Sequence, residues 1–265
     1  AASDVYKRQE PTFGNAAPIA VAQIPPNESI CLSSFNLTLS ANYFTQLTER
    51  LSGNLKIEIT SEAESVFCQT YPIDILAYDQ WGGINVLPEM LAAFITPNHT
   101  AIVPIIKRAA SILGQWTDNP SLDEYQSRTP DRVRKQMAAI YTAITEQQII
   151  YSTIPASFEE YGQRVRLANS VMAQKLGTCL DMDLLYASCL EAIGLNALII
   201  ITQGHAFAGA WLVPETFPDP TIDDVSLLTK RTAEGIYDIT LVETTCMNMG
   251  HSSDFDDAVK KANGK

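Results

Sequence analysis

Two segments carry residue types that could do chemistry together. Gly177-Thr-Cys-Leu-Asp-Met-Asp183 places a cysteine where a turn meets a predicted helix. Gly204-His-Ala-Phe-Ala-Gly-Ala-Trp211 places one of three histidines at the start of a predicted strand. A thiol in the first helical turn faces unpaired backbone N–H groups and the positive end of the peptide dipoles. Both favour thiolate and are expected to lower the Cys179 pKa. If the fold brings His205 to the sulfur, the pair becomes a nucleophile and its base, and a nearby N–H can stabilise an oxyanion. A third group should orient the imidazole. In Asp238-Ile-Thr-Leu-Val-Glu-Thr-Thr-Cys246, Glu243 is predicted inside an apolar strand. A carboxylate buried there needs a donor, which the distal N–H of His205 supplies. Asp238 and Asp219 are weaker substitutes for that role.

Other residues of the two segments read as structural. Asp181 and Asp183 fit the positive end of the helix, as caps or as ion-pair partners of Arg164 or Arg166, and would raise the thiol pKa if aimed at the sulfur. Cys189 lies in the same helix, about 80 degrees around its axis from Cys179, and reads as core. Phe207 and Trp211 share the strand parity of His205 and either flank a substrate or fill core. The spacing contains no paired metal-ligand motif.

The elements that must position these groups are legible as two textures. Residues 1–30 read as an extended lead-in. From 31 to 88 short strands dominate: Phe35, Leu37 and Leu39 alternate, as do Leu55, Ile57 and Ile59, with further strands at Val66 to Cys68 and Ile73 to Ala77. Turns are placed at Ser-Gly53-Asn and Ser61 to Glu64, giving a small β-sandwich-like domain. Residues 89–255 read as a second domain. Its predicted helices are Ala101 to Leu113, one capped by Thr129 with Pro130 at its first position, Leu167 to Gln174, and one running from Cys179 to Gly194. Predicted strands follow at Ala197 to Thr202, Ala206 to Val213 and Ile239 to Cys246. Residues 256–265 read as a short helix with a fraying tail. The fold class is α+β.

With 265 residues the chain can bury a substantial core, and 46% hydrophobic against 18% charged residues is a globular composition. The formal charge of -12 argues against a broad nucleic-acid groove or an anionic membrane surface, since attraction to phosphate needs a positive field. Five cysteines without CxxC spacing fit a reducing, cytoplasmic setting. Asn27, Asn36 and Asn98 match the glycosylation pattern, which needs a secretory route. No stretch reads as a membrane span, because Ala187 to Ile201 is interrupted by Glu191, Gly194 and Asn196. The first ten residues lack a secretory pattern and read as a fragment boundary or a remnant.

The order glycine, one residue, cysteine, a helix ending at glycine, a strand and then histidine resembles the transglutaminase-like cysteine protease superfamily. Gly177-Thr-Cys179, Gly194 and His205 carry that resemblance. The family's third catalytic position, commonly Asp, falls on Glu243. The resemblance implies a papain-like domain with the cysteine-bearing helix on an antiparallel sheet, a Cys-His-Glu triad and no cofactor or metal. A narrower resemblance spans about Ile73 to Met247. Trp81-Gly-Gly83, Phe158-Glu-Glu-Tyr-Gly-Gln-Arg-Val-Arg166, Gly177-Thr-Cys-Leu-Asp181 and Gly204 to Leu212 resemble the accessory region of large bacterial helicase-like proteins containing a DUF4011 domain. It implies a helicase-like neighbour in the same full-length protein, since this chain has no phosphate loop. Papain-like chemistry can use a Gln amide at the oxyanion, which makes Gln163 and Gln174 candidates, with Gln163 preferred. The implied activity is hydrolysis of peptide, amide or isopeptide bonds in a peptide or protein substrate, or acyl transfer through the same intermediate. The alternative is a noncatalytic protein-interaction or scaffold module of a larger helicase-like nucleic-acid-processing protein. Neither reading has direct nucleic-acid binding or a membrane as partner.

Overall fold

The computed structural model describes residues 3–10, 13–15, 18–21, 24–32, 38–153, 162–251 and 253–265. Phe35 and Leu37 of the first alternating run, and Phe158 to Tyr161 of the glutamate-rich motif, lie outside the described residues. The chain forms two compact units, Ala1–Gln80 and Trp81–Lys265, whereas the sequence reading drew its boundary at 88. The architecture is a mixed one of several helices and small sheets.

The first unit contains β1 (Ser3–Glu10), β2 (Ile19–Val21), α1 (Ala41–Gln46), β3 (Leu51–Ser61) and β4 (Glu64–Ile75). The strands form one antiparallel sheet in the order β2-β1-β3-β4. Three expectations change here. The lead-in supplies two strands, the two predicted strands between 66 and 77 are one, and among the described residues a single four-stranded sheet stands where a sandwich was expected. Side-chain exposure explains the last: Leu55, Ile57 and Ile59 are only half-buried and Val66, Phe67 and Tyr71 are exposed. Gly53 is not a turn residue but sits within β3 opposite Ile73. The turn expected between Ser61 and Glu64 is present, at Glu62 and Ala63, both at positive φ (52° and 68°). Phe13, Leu47 and Ile75 form a small buried cluster in this unit.

The second unit holds the candidate site. Following β5 (Gln80–Trp81), its elements are α2 (Val103–Thr117), α3 (Pro130–Thr145), β6 (Ile150–Tyr151), β7 (Gln163–Arg164), α4 (Ala168–Gln174), β8 (Leu176–Gly177) and α5 (Cys179–Ala192). They continue with β9 (Ala197–Thr202), β10 (His205–Trp211), α6 (Val225–Thr232), β11 (Ile239–Val242) and α7 (Phe255–Asn263). Pro104 and Pro130 each occupy a first helical turn, where the missing N–H costs nothing. Thr129 is the N-cap residue of α3 but makes no capping bond, because its hydroxyl is turned to Ser127 Oγ (3.3 Å).

Helix α5 is the axis of this unit. Thr178 begins it with a reciprocal capping box: its hydroxyl accepts from Asp181 N–H (3.2 Å), and Asp181 Oδ2 accepts from Thr178 N–H (2.9 Å). Every residue from Cys179 to Leu190 is buried, so the helix is enclosed on all sides. Met182, Tyr186 and Cys189 share a buried cluster with Met137 and Ile140 of α3, and the Tyr186 hydroxyl donates to Met137 O (3.0 Å). Gly194, at φ +79°, ends the helix in a conformation that favours glycine.

The antiparallel sheet β11-β10-β9 lies against α5. Even-numbered Ala206 packs with Leu180 and Leu184, and odd-numbered Phe207 and Trp211 join a separate cluster with Ile239 and Leu241. Gly209 is required by close approach, since a Cβ there would sit 2.6 Å from Thr240 O on β11. Strand β11 ends at Val242, earlier than expected. Glu243 therefore lies just outside the strand as the N-cap of a 3-10 turn, Thr244–Met247.

Candidate active site

The site is assembled by three backbone devices. The capping box fixes the first turn of α5 and with it Cys179. The β9–β10 turn at Gly204 (φ +71°) delivers His205 to the start of its strand opposite Thr202. The 3-10 turn after β11 presents Glu243, whose own N–H is held by Ala258 O of α7 at 3.1 Å.

His205 and Glu243 meet directly. The imidazole Nε2–H donates to Glu243 Oε2 at 2.8 Å, and the glutamate side chain is only 3% exposed. That bond fixes the tautomer and leaves Nδ1 as the ring's basic nitrogen. The ring stacks on Phe207 with centroids 6.4 Å apart. Glu243 Oε1 accepts from Thr245 N–H (3.2 Å) and Thr245 Oγ1 (2.6 Å), and Oε2 accepts a further bond from Lys265 Nζ. Burial pushes this carboxyl up, but the donors Lys265, Thr245 and His205 more than offset it, and Glu243 stays below its ordinary range.

Cys179, at the start of α5, is buried in one cluster with Ala206, the strand residue that follows His205. The N–H groups of Ala206 and Leu180 favour the charged form of Cys179. Among the described residues no hydrogen bond joins the sulfur to the imidazole. The thiol is buried, and here the sequence expectation reverses: burial first, then the Asp183 carboxyl, raise the Cys179 pKa, and the two N–H groups only partly oppose them. The cost of desolvating a thiolate exceeds what the helix end returns. Cys179 therefore rests as a thiol and needs a base. Cys189 is fully buried in the core, where desolvation pushes its thiol far up.

Gln163 is buried with its Oε1 unpaired, and among the described residues no hydrogen bond links it to Cys179. Gln174 instead accepts from Arg166 Nε at 3.3 Å. Asp181 has the structural role expected of it: besides capping, it accepts from Arg166 N–H (2.7 Å) and Arg166 Nη1 (3.0 Å). Asp183 is not the cap or arginine partner expected of it, but it does raise the Cys179 pKa as a carboxyl near the sulfur should. It is fully buried one turn after Cys179, accepts from Thr244 Oγ1 (2.5 Å), and leaves Oδ2 unpaired. Asp238 pairs with Arg231 (2.8 Å), away from His205.

The sequence reading missed three neighbours. Tyr151 faces Cys179 because its two-residue strand β6 pairs in parallel with β8, setting Tyr151 opposite Gly177. Burial and then the adjacent sulfur push its hydroxyl above the ordinary range. A two-residue strand has no periodicity to reveal it. Thr244 and Lys265 are the others, brought in by tertiary packing from positions with no local signature. Among the described residues no group of three His, Cys, Asp or Glu side chains forms a metal site, and no helix is long and apolar enough to cross a membrane.

Asp183 makes a pH prediction. Burial, and then the Glu243 charge, hold its carboxyl well above the ordinary 3.8, with the Thr244 bond opposing. The folded state thus binds a proton that the unfolded chain releases. Its contribution to stability is fully present below about pH 4 and declines from there up to the raised native value. Asp183→Asn, which keeps an uncharged polar group, is expected to remove that decline. Its melting temperature relative to the parent should rise with pH between 4 and 8, and a constant offset would show that Asp183 is ionised when folded.

Comparison of the chain with protein-family models, with curated proteins and with solved structures finds no match.

Proposed function

We propose that this chain is a cysteine-dependent hydrolase of peptide, amide or isopeptide bonds, with Cys179 as nucleophile, His205 as base and Glu243 as the group that orients the imidazole. The observation that carries the reading is the 2.8 Å bond between His205 Nε2 and a nearly inaccessible Glu243, with His205 next on the strand to Ala206, which is buried in one cluster with Cys179. A buried carboxylate held by an imidazole at the edge of a thiol site is the base-and-orienter arrangement that nucleophilic catalysis requires. The transglutaminase-like arrangement of α5 on its antiparallel sheet belongs to the same proposal.

Because Cys179 rests as a thiol, attack and deprotonation are coupled. The sulfur adds to the carbonyl carbon as its proton passes to His205 Nδ1, and the first-turn N–H groups of α5 face the developing oxyanion. The imidazolium, held by Glu243, returns that proton to the leaving amine as the C–N bond breaks. Water, activated by the same imidazole, then adds to the thioester and releases the acid and the thiol. An amine acceptor in place of water gives acyl transfer from the same thioester. The substrate class is a peptide or protein, and the surplus of acidic residues favours cationic or neutral segments. All five cysteines are free thiols, which suits a cytoplasmic setting, with a helicase-like region of a longer protein as the proposed partner.

One observation favours a second reading. The missing bond between sulfur and imidazole suits a scaffold module that kept the architecture without turnover, although catalytic bonds are often long before substrate binds. Acylation by p-nitrophenyl acetate separates the two. The hydrolase reading expects a burst of p-nitrophenolate and an acetyl group mapped by mass spectrometry to Cys179, both absent in Cys179→Ala. Acetylation spread evenly over the exposed Cys31 and Cys68, with none at Cys179, would reject it.

A further inference from the structure

Lys265 reaches Glu243 from beyond the end of α7, and its placement is built into the fold. Ala258 O of α7 holds the Glu243 N–H, and Ala262 is buried with Phe207, Trp211 and Leu241. The Lys265 N–H then donates to Ala262 O at 3.2 Å. The same short helix thus fixes both the backbone of Glu243 and the start of the lysine side chain.

The surroundings explain what an ammonium is needed for. The groups facing Glu243 are His205 from β10, Thr245 from its own turn, Asp183 and Cys179 from α5, Tyr151 from β6 and Tyr141 from α3. Asp183, Cys179 and the two tyrosines are acids that oppose a second negative charge, and Thr245 donates without a formal charge. His205 carries positive charge for only part of the proposed reaction cycle. Lys265 brings an ammonium to the carboxylate, and it shares Oε2 with the imidazole.

We propose that Lys265 is a positioning residue, the counter-ion that keeps Glu243 charged so that its carboxylate can orient the His205 ring. The inference rests on the hydrolase reading for its purpose but not for its test. Loss of the ammonium lets Glu243 take up a proton at higher pH, because burial and the neighbouring acids are then less opposed. A protonated Glu243 is a poorer acceptor for the imidazole N–H.

The test uses the full chain labelled with carboxyl-13C glutamate, with the Glu243 resonance assigned through Glu243→Gln. In Lys265→Met its titration midpoint is expected to move up by about one pH unit, the size of a strong charge-assisted bond at a partly exposed site. Lys265→Gln should do the same, which guards against a folding defect in one variant, and Lys265→Arg should restore the parent midpoint. In parallel, at the parent's own Glu243 midpoint the charged fraction falls from about one half to about one tenth, so acylation of Cys179 should slow about fivefold there and stay unchanged at pH 8. An unmoved midpoint in both neutral variants overturns the counter-ion role. A moved midpoint with acylation lowered equally at every pH overturns the positioning role. A moved midpoint with Cys179 inert in the parent protein counts against the hydrolase reading alone.

Discussion

His205→Ala is expected to slow acylation of Cys179 by about 10²- to 10⁴-fold at pH 7, the range a positioned general base contributes. The size follows from the resting thiol. Its pKa is raised above 9.0 by burial and by Asp183, so less than about 1 per cent is thiolate at neutral pH without help from the imidazole. The sign of the pH dependence follows as well. In the variant the rate should climb about tenfold for each pH unit up to the raised thiol pKa, because only hydroxide or buffer can remove the proton. In the parent protein the imidazole removes it, and the profile should flatten well below that value. A variant whose rate at pH 7 equals the parent's would exclude the imidazole as base, whatever its bond to Glu243.

This expectation differs from that of a preformed thiolate and imidazolium pair, and the difference arises from tertiary structure. Helix-end chemistry is local and can be read from Gly177-Thr-Cys179. The enclosure of α5 on all sides is not local, and neither is the approach of Thr244 that fixes Asp183 one turn along. Both act against the charged sulfur. Burying a group in a low-dielectric interior disfavours its charged form by more than two backbone dipoles recover.

The same division between local and distant causes separates what the sequence reveals of the fold from what it hides. Helix α5, its threonine cap, its glycine end and the β9–β10 hairpin follow from capping chemistry and from 3.6- and 2-residue patterning, all within about 30 residues. Glu243 was found by a burial argument even though the predicted strand was too long, because a carboxylate in an apolar run needs a donor wherever the strand stops. Tyr151 and Lys265 carry no such contradiction. A tyrosine in a two-residue strand and a lysine past a helix end are unremarkable until the parallel pairing with Gly177 and the packing of Ala262 place them. The first unit misled for a related reason. Alternating apolar residues imply a covered face, yet the side chains of β3 are only half-buried in a lone sheet, so period alone does not count layers.

Asp181→Ala is expected to produce the largest loss of stability, about 3–5 kcal/mol, the cost of breaking a buried charge pair by removing one partner. The Asp181 side chain is wholly inaccessible and satisfies three donors: Thr178 N–H, Arg166 N–H and Arg166 Nη1. Alanine leaves the first of these without its partner in the interior and strips the guanidinium of its counter-charge. It also opens the capping box from one side, although Thr178 Oγ1 can still accept from residue 181 N–H. Asp181→Asn keeps one carbonyl acceptor but turns an amide donor toward donors, so it should fall between alanine and the parent. Urea denaturation measures the ordering directly: the midpoint should fall most for alanine and less for asparagine, with the slope unchanged. Arg166→Met removes the other half of the pair and leaves the capping box whole, so its loss should be smaller than that of Asp181→Ala. Equal losses for the two would place the stabilisation in the ion pair, and the first turn of α5 that carries Cys179 would then not depend on its cap.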